Sequence, residues 1–125
     1  MRGDNPVPDW LRARVDAVVW DFDLTILRIH SYRTGIRSRE AVASRDLGAD
    51  FADLEFFTTL VHRLIEAGID VHVASFGRNE VIQAYLERAV GDSFGPDRVS
   101  TPATVGGRDG RPTLNGKNPQ LVEIC

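Results

Sequence analysis

The chain has 125 residues, 42% of them hydrophobic, and a formal net charge of −3 with both signs interspersed, which bounds it to one modest globular domain, residues 1–125. With a sequence pI of about 5.5, neither nucleic acid nor an anionic membrane surface is indicated as a partner. No apolar run approaches the roughly 18 residues of a membrane span; MRGDNPVPDWLRAR lacks a secretory apolar stretch, and the single cysteine is the last residue, Cys125, so a reducing, cytoplasmic location without disulfides or cysteine metal sites is expected.

Residues 1–16 form an N-terminal extension in which Trp10 to Arg14 can make a short turn of helix; Arg2, Arg12 and Arg14 leave an organellar leader open, against which Asp4 and Asp9 speak. Ala17-Val18-Val19-Trp20-Asp21-Phe22 is a short, continuously apolar run ending in acid, the pattern of a parallel strand covered on both faces. Residues 24–50 have no clean period and contain Gly35 and Gly48, so a flap or short insertion over the strand end is expected. A helix then begins, with Asp50 as N-cap and Asp53 in its first turn; Leu54, Phe57, Val61, Leu64 and Ile65 form its apolar stripe and Gly68 stops it.

IDVHVAS, Ile69 to Ser75, reads as a second strand, and Arg78 to Val90 as a second helix with Val81, Ile82, Tyr85, Leu86 and Ala89 inward. Strand, helix, strand, helix implies an α/β fold with a right-handed parallel sheet. Arg98-Val99-Ser100 is a candidate third strand. Residues 102–125 read as a glycine-rich loop or loose hairpin around Asp109-Gly110, followed from Asn118 by the first turns of a helix with Pro119 near its start.

Ligands of open parallel sheets bind beyond the carboxyl ends of the strands. The polar residues expected there are Asp21, Asp23 and Thr25 after the first strand, Ser75 after the second, and Lys117 before the last helix. These types suit phosphoryl transfer: a carboxylate attacks phosphorus, a second carboxyl moves protons, a hydroxyl donates to a phosphoryl oxygen and an ammonium neutralises charge. Lys117 is the only lysine beside fourteen arginines, so a compact ammonium is singled out at that place.

D-F-D-L-T, a hydrophobic strand ending in Ser75, and Gly116-Lys117-Asn118-Pro119 together resemble the first three motifs of the haloacid dehalogenase superfamily of phosphohydrolases, over roughly residues 17–121. The resemblance implies a Rossmann-like three-layer α/β/α domain and a Mg2+-dependent phosphatase working through an aspartyl-phosphate. By the same resemblance Asp21 is nucleophile and metal ligand. Asp23 is general acid and base, and a metal ligand through its main-chain carbonyl. Ser75 binds phosphate, and Lys117 steadies both Asp21 and the phosphoryl group. Thr25 either hydrogen-bonds the nucleophile loop or caps a turn, and Phe22 is core. The resemblance is nearest to small magnesium-dependent phosphatases without a cap domain, whose open site suits a phosphorylated small molecule or protein.

Other chemistry-bearing residues have plainer readings. His30, His62 and His72 lack the spacing of a metal cluster and read as structural. Within Arg28 to Arg45 of the flap, Arg28, Arg33, Arg37, Arg39 and Arg45 stand against the single acid Glu40; they form a solvated face or, beside a phosphate site, a surface that steers anions. The superfamily's fourth motif, an acidic pair after a further strand, has no counterpart in the eight residues after Lys117, so a truncated chain or a variant with impaired metal binding is expected. In the sheet order that the resemblance implies, VVWDF would then be an exposed apolar edge, to be covered by a second copy, a partner chain or missing sequence. The main alternative is a non-enzymatic interaction subunit of a larger assembly. A phospho-receiver domain is disfavoured because D-x-D-x-T already follows the first strand.

Overall fold

A computed structural model describes residues 7–106 and residue 109. Lys117, the rest of the glycine-rich loop and the helix expected from Asn118 lie outside the described residues. The element order is α1 (Asp9–Arg14), β1 (Ala17–Trp20), a turn at Phe22–Ile26, α2 (Arg39–Ala43), α3 (Leu47–Asp50), α4 (Leu54–Glu66), β2 (Asp70–Ala74), α5 (Asn79–Val90) and β3 (Val99–Ser100). Short 3-10 turns at Pro96–Arg98 and Pro102–Val105 flank β3. No described helix is long and apolar enough to cross a membrane.

The described strands form one parallel sheet in the order β1-β2-β3, with Trp20 opposite Val73 and Val73 opposite Val99. This is a mixed α/β architecture. Because residues opposite one another in a sheet point the same way, Val18, Trp20, Val71 and Val73 share a face. On that face the Trp20 ring meets Phe57 at 5.6 Å and Phe94 at 6.2 Å, both edge-on. Two right-handed crossovers stepping in the same direction put α4 and α5 on one side of the sheet, where they pack on the strands and on each other. Val19 and His72 point to the other side.

The expected burial of β1 on both faces is not met by the described residues. Ala17 is exposed, and Val18, Val19 and Trp20 are half-buried. The reason is position: β1 is the outer strand of the three, and both long helices cover a single face. The expected strand is also shorter, since the chain leaves the sheet at Asp21 and Phe22 turns into the core against Tyr85, 5.9 Å between ring centroids.

Helix α4 shows which local rules won. Asp53, rather than the expected Asp50, is its N-cap, accepting the Phe56 N–H at 3.0 Å, a bond worth about 1 kcal/mol. Asp50 instead ends α3, buried, where its carboxylate accepts two bonds from Arg45 at 2.9 and 2.8 Å and one from the Tyr85 hydroxyl at 2.6 Å. Phe57, Val61 and Leu64 are buried as the stripe predicts, but Ile65 is 44% exposed and lies outside it. Gly68, at φ 78°, ends the helix: Ile69 N–H reaches Leu64 O at 2.9 Å and Gly68 N–H reaches Ile65 O at 3.0 Å, so the last carbonyls are satisfied.

The flap is more ordered than its aperiodic sequence predicts. An antiparallel bridge joins Leu27 and Phe51, Arg28 N–H reaches Asp50 O at 2.8 Å, and Ala52 N–H reaches Ile26 O at 3.0 Å, so both ends of the segment are pinned together. Inside it, α2 packs against α5, and Arg88 on α5 donates to Val42 O at 2.7 Å and to Arg45 O at 2.9 Å, tying the end of α2 and the turn after it to α5.

Candidate functional site

Asp21 follows the last residue of β1 and Ser75 the last residue of β2, and the parallel register sets both at the same end of the sheet. Between Asp21 and the flap the backbone makes one wide turn, closed by Leu27 N–H to Phe22 O at 3.1 Å. Within it Asp23 (φ −62°, ψ 135°) and Leu24 (φ 60°, ψ 14°) have the dihedrals of the central pair of a type II turn. The turn folds the chain back so that Thr25 Oγ1 donates to Asp21 Oδ2 at 3.3 Å.

Leu24 is the only non-glycine residue with positive φ among those described, and 64% of it is exposed. A leucine gains nothing from this conformation, which costs an L-residue roughly 1–2 kcal/mol. Strain of this kind concentrates where a turn must hold functional groups. Leu24→Asn, which tolerates the left-handed region, is expected to stabilise the fold by about 0.5–1 kcal/mol in chemical denaturation. A loss of stability would show that the Leu24 side chain has a role in packing.

The Asp23 carboxylate is held from two sides. Its Oδ1 accepts the Ser31 N–H at 2.7 Å, which ties the flap to the acid. Its Oδ2 lies against Gly77, where a Cβ would stand 3.3 Å from it and 3.3 Å from Ser75 Oγ. Ser75 is buried; its N–H is bonded to Ser100 O at 3.0 Å and its Oγ accepts the Gly77 N–H at 3.0 Å. Gly77 therefore sets the spacing of an acid and a hydroxyl. Gly77→Ala is expected to push the Asp23 carboxylate aside and, if the site is catalytic, to lower turnover by about ten- to a hundredfold while the far-UV circular dichroism is retained.

The structure thus brings together Asp21, Asp23, Thr25 and Ser75, while Lys117 lies outside the described residues. It adds Ser31, Gly77 and Leu24, which sequence reasoning passed over. Gly77 carried a faint signal, a glycine two residues past a candidate strand-end serine; Ser31 acts through its main chain and carried none. Asp109 was also missed as a helix cap. Its carboxylate accepts N–H groups of Asn79 at 2.9 Å and Ala103 at 2.9 Å, so it spans the start of α5 and the turn after β3.

Three of the five flap arginines are committed to the fold. Arg28 donates to Phe51 O and Ala52 O, Arg39 pairs with Glu87, and Arg45 with Asp50. The histidines stand apart: His30 Nδ1 accepts the Arg33 N–H, His62 is exposed on α4, and His72 is half-buried on β2. Burial, reinforced by Arg98, pushes the His72 imidazole below its ordinary range. Among the described residues no three His, Cys, Asp or Glu side chains are gathered as a metal site. Asp21 and Asp23 follow β1 at this end of the sheet, and the Asp109 carboxylate lies between the start of α5 and the turn after β3. Set against known proteins, the chain significantly matches no family model, no curated protein and no solved structure.

Proposed function

We propose that the chain is a Mg2+-dependent phosphomonoester hydrolase of the haloacid dehalogenase type, acting through an aspartyl-phosphate on Asp21. The observation that carries this reading is the convergence at one sheet end of two carboxylates and two hydroxyls, with Asp23 bonded to the flap at Ser31 and lying beside Gly77. On this reading the three described strands belong to a Rossmann-like three-layer domain.

In the first half-reaction an Asp21 carboxylate oxygen attacks phosphorus, the ester P–O bond breaks, and Asp23 gives its proton to the departing oxygen. Thr25 orients Asp21 through its hydrogen bond to Oδ2. In the second, Asp23 takes a proton from water, the resulting hydroxide attacks phosphorus, and the bond from phosphorus to Asp21 breaks, restoring the carboxylate and releasing phosphate. Ser75 donates its hydroxyl proton to a phosphoryl oxygen. The Ser31 N–H holds the ionised form of Asp23 in place between the two proton transfers.

Mg2+ is commonly held by one or two carboxylates together with substrate phosphate and water, and the exposed Asp21 carboxylate with the Asp23 main-chain carbonyl suits that mode. Bound there, it would neutralise charge on the phosphoryl oxygens. Lys117 is assigned the remaining positive charge by the resemblance alone. The test is Mg2+-dependent hydrolysis of an aryl phosphate by the wild type and by Asp21→Asn. Turnover that persists in the variant sinks the mechanism.

A further inference from the structure

Two guanidinium groups converge on one exposed ring beside the site. Arg37 Cζ lies 4.2 Å and Arg78 Cζ 5.7 Å from the centroid of Tyr32. Both partners of this cluster are next to residues that hold Asp23. Ser31, which donates to Asp23 Oδ1, precedes Tyr32; Gly77, whose missing side chain makes room for Asp23 Oδ2, precedes Arg78. Tyr32 and Arg78 are therefore each one residue along the chain from a group that contacts Asp23, which on the phosphatase reading protonates the departing oxygen.

From Arg78 a cleft of about 610 Å3 runs along the first turn of α5, lined also by Arg39, Asn79, Glu80, Gln83 and Asp109. That volume suits a small organic ligand. Several of its polar groups are already engaged: Arg39 with Glu87, Asp109 with two backbone N–H groups, and Gln83 with Asn79. Arg78 is different. Its Nε is buried with no hydrogen-bond partner among the described residues, an arrangement that costs free energy until an acceptor arrives.

We propose that this site takes phosphomonoesters whose leaving group carries a second anionic group, a carboxylate or another phosphate, received by Arg78 and Arg37 at the Tyr32 ring. The proposal rests on the phosphatase reading for its orientation, with Asp23 marking where the leaving group departs. Arg78 lines the cleft and supplies one guanidinium, and Arg37 adds a second positive charge at the exposed side. Glu80 at the cleft wall opposes a bulky polyanion, so a single extra anionic group is the favoured match.

The test uses two unhydrolysable ligands, benzylphosphonate and 4-carboxybenzylphosphonate, titrated calorimetrically into the full chain with Mg2+. The carboxylated ligand is expected to bind about tenfold more tightly, the worth of one charge-assisted hydrogen bond. Arg78→Gln is expected to bring the two affinities together. Arg37→Gln, at an exposed position where folding is not at stake, is expected to cut the preference to about threefold. Equal affinities in the wild type, no binding of either ligand, or a preference that survives both substitutions overturns the proposal. Because neither ligand is turned over, the two readings fail separately. A preference without hydrolysis of any phosphate ester sinks the phosphatase reading and keeps the anion pocket; hydrolysis of phenyl phosphate without a preference sinks only the pocket.

Discussion

Asp21→Asn is expected to lower Mg2+-dependent hydrolysis of an aryl phosphate by about 10^4-fold or more, because an amide cannot form the acyl-phosphate bond and the two half-reactions lose their shared intermediate. The substitution is nearly isosteric, and Asp21 is exposed at the end of β1, so the fold should survive it. Thr25 can still donate, now to the amide oxygen. A parallel measurement separates nucleophile from proton carrier: Asp23→Asn should lose turnover by about 10^2- to 10^4-fold, while beryllofluoride, which mimics a phosphoryl group on a carboxylate, should still be trapped by Asp21 when Mg2+ is present. Equal activity of wild type and Asp21→Asn removes the mechanism. A wild type inactive toward all phosphate esters favours the non-enzymatic interaction subunit.

The second large effect concerns stability. Asp50→Ala is expected to cost about 3 kcal/mol and to lower the thermal midpoint by roughly 10 °C. The carboxylate is 2% exposed and receives both a bidentate Arg45 and the hydroxyl of Tyr85, which is fully buried; removing it strands all three donors. Arg45 is 36% exposed and can partly regain water, which keeps the loss at the low end for a broken buried pair. Tyr85→Phe, which removes one donor and strands none, should cost only about 1 kcal/mol. A midpoint within about 2 °C of wild type for Asp50→Ala would show that the Arg45–Asp50–Tyr85 cluster does not hold the flap against α5.

The same cluster predicts a pH dependence. The Arg45 guanidinium holds the Asp50 carboxyl below its ordinary value of 3.8, against a burial effect that works the other way. A carboxyl depressed in the folded state contributes stability that is present above its unfolded pKa and is lost as pH falls through the folded value. Asp50→Asn should therefore flatten the acid limb below about pH 4. Burial, followed by the bond to Asp50, pushes the Tyr85 phenol upward. Its contribution is present below its unfolded value near 10 and is lost as pH rises through the raised one.

Much of the alternation of strands and helices was legible in local pattern. The continuous apolar run of β1, the valines of β2, the stripe Phe57, Val61 and Leu64, and Gly68 at the end of α4 each follow from rules that act over a few residues. Asp21, Asp23 and Ser75 were legible for the same reason: polar residues directly after apolar strands in an α/β order have one place to go, the carboxyl end of a parallel sheet. The flap was illegible because its order comes from outside it. Leu27 meets Phe51, and Arg88 on α5 donates to Val42 O and Arg45 O, contacts that no local period announces.

Asp50 and Asp53 mark the boundary most clearly. Both are acids before an apolar stripe, and sequence alone allows either to cap the helix. The choice was made by Tyr85, thirty-five residues away, and by Arg45, which together draw Asp50 inward and leave Asp53 to accept the Phe56 N–H. Asp23 tells the same story at the site. By itself the sequence determined that two acids and a threonine follow the first strand. Only the tertiary structure decided which of them is gripped between Ser31 and Gly77, because that grip joins a flap and a second strand end through main-chain groups and a missing side chain, neither of which leaves a mark on residue type.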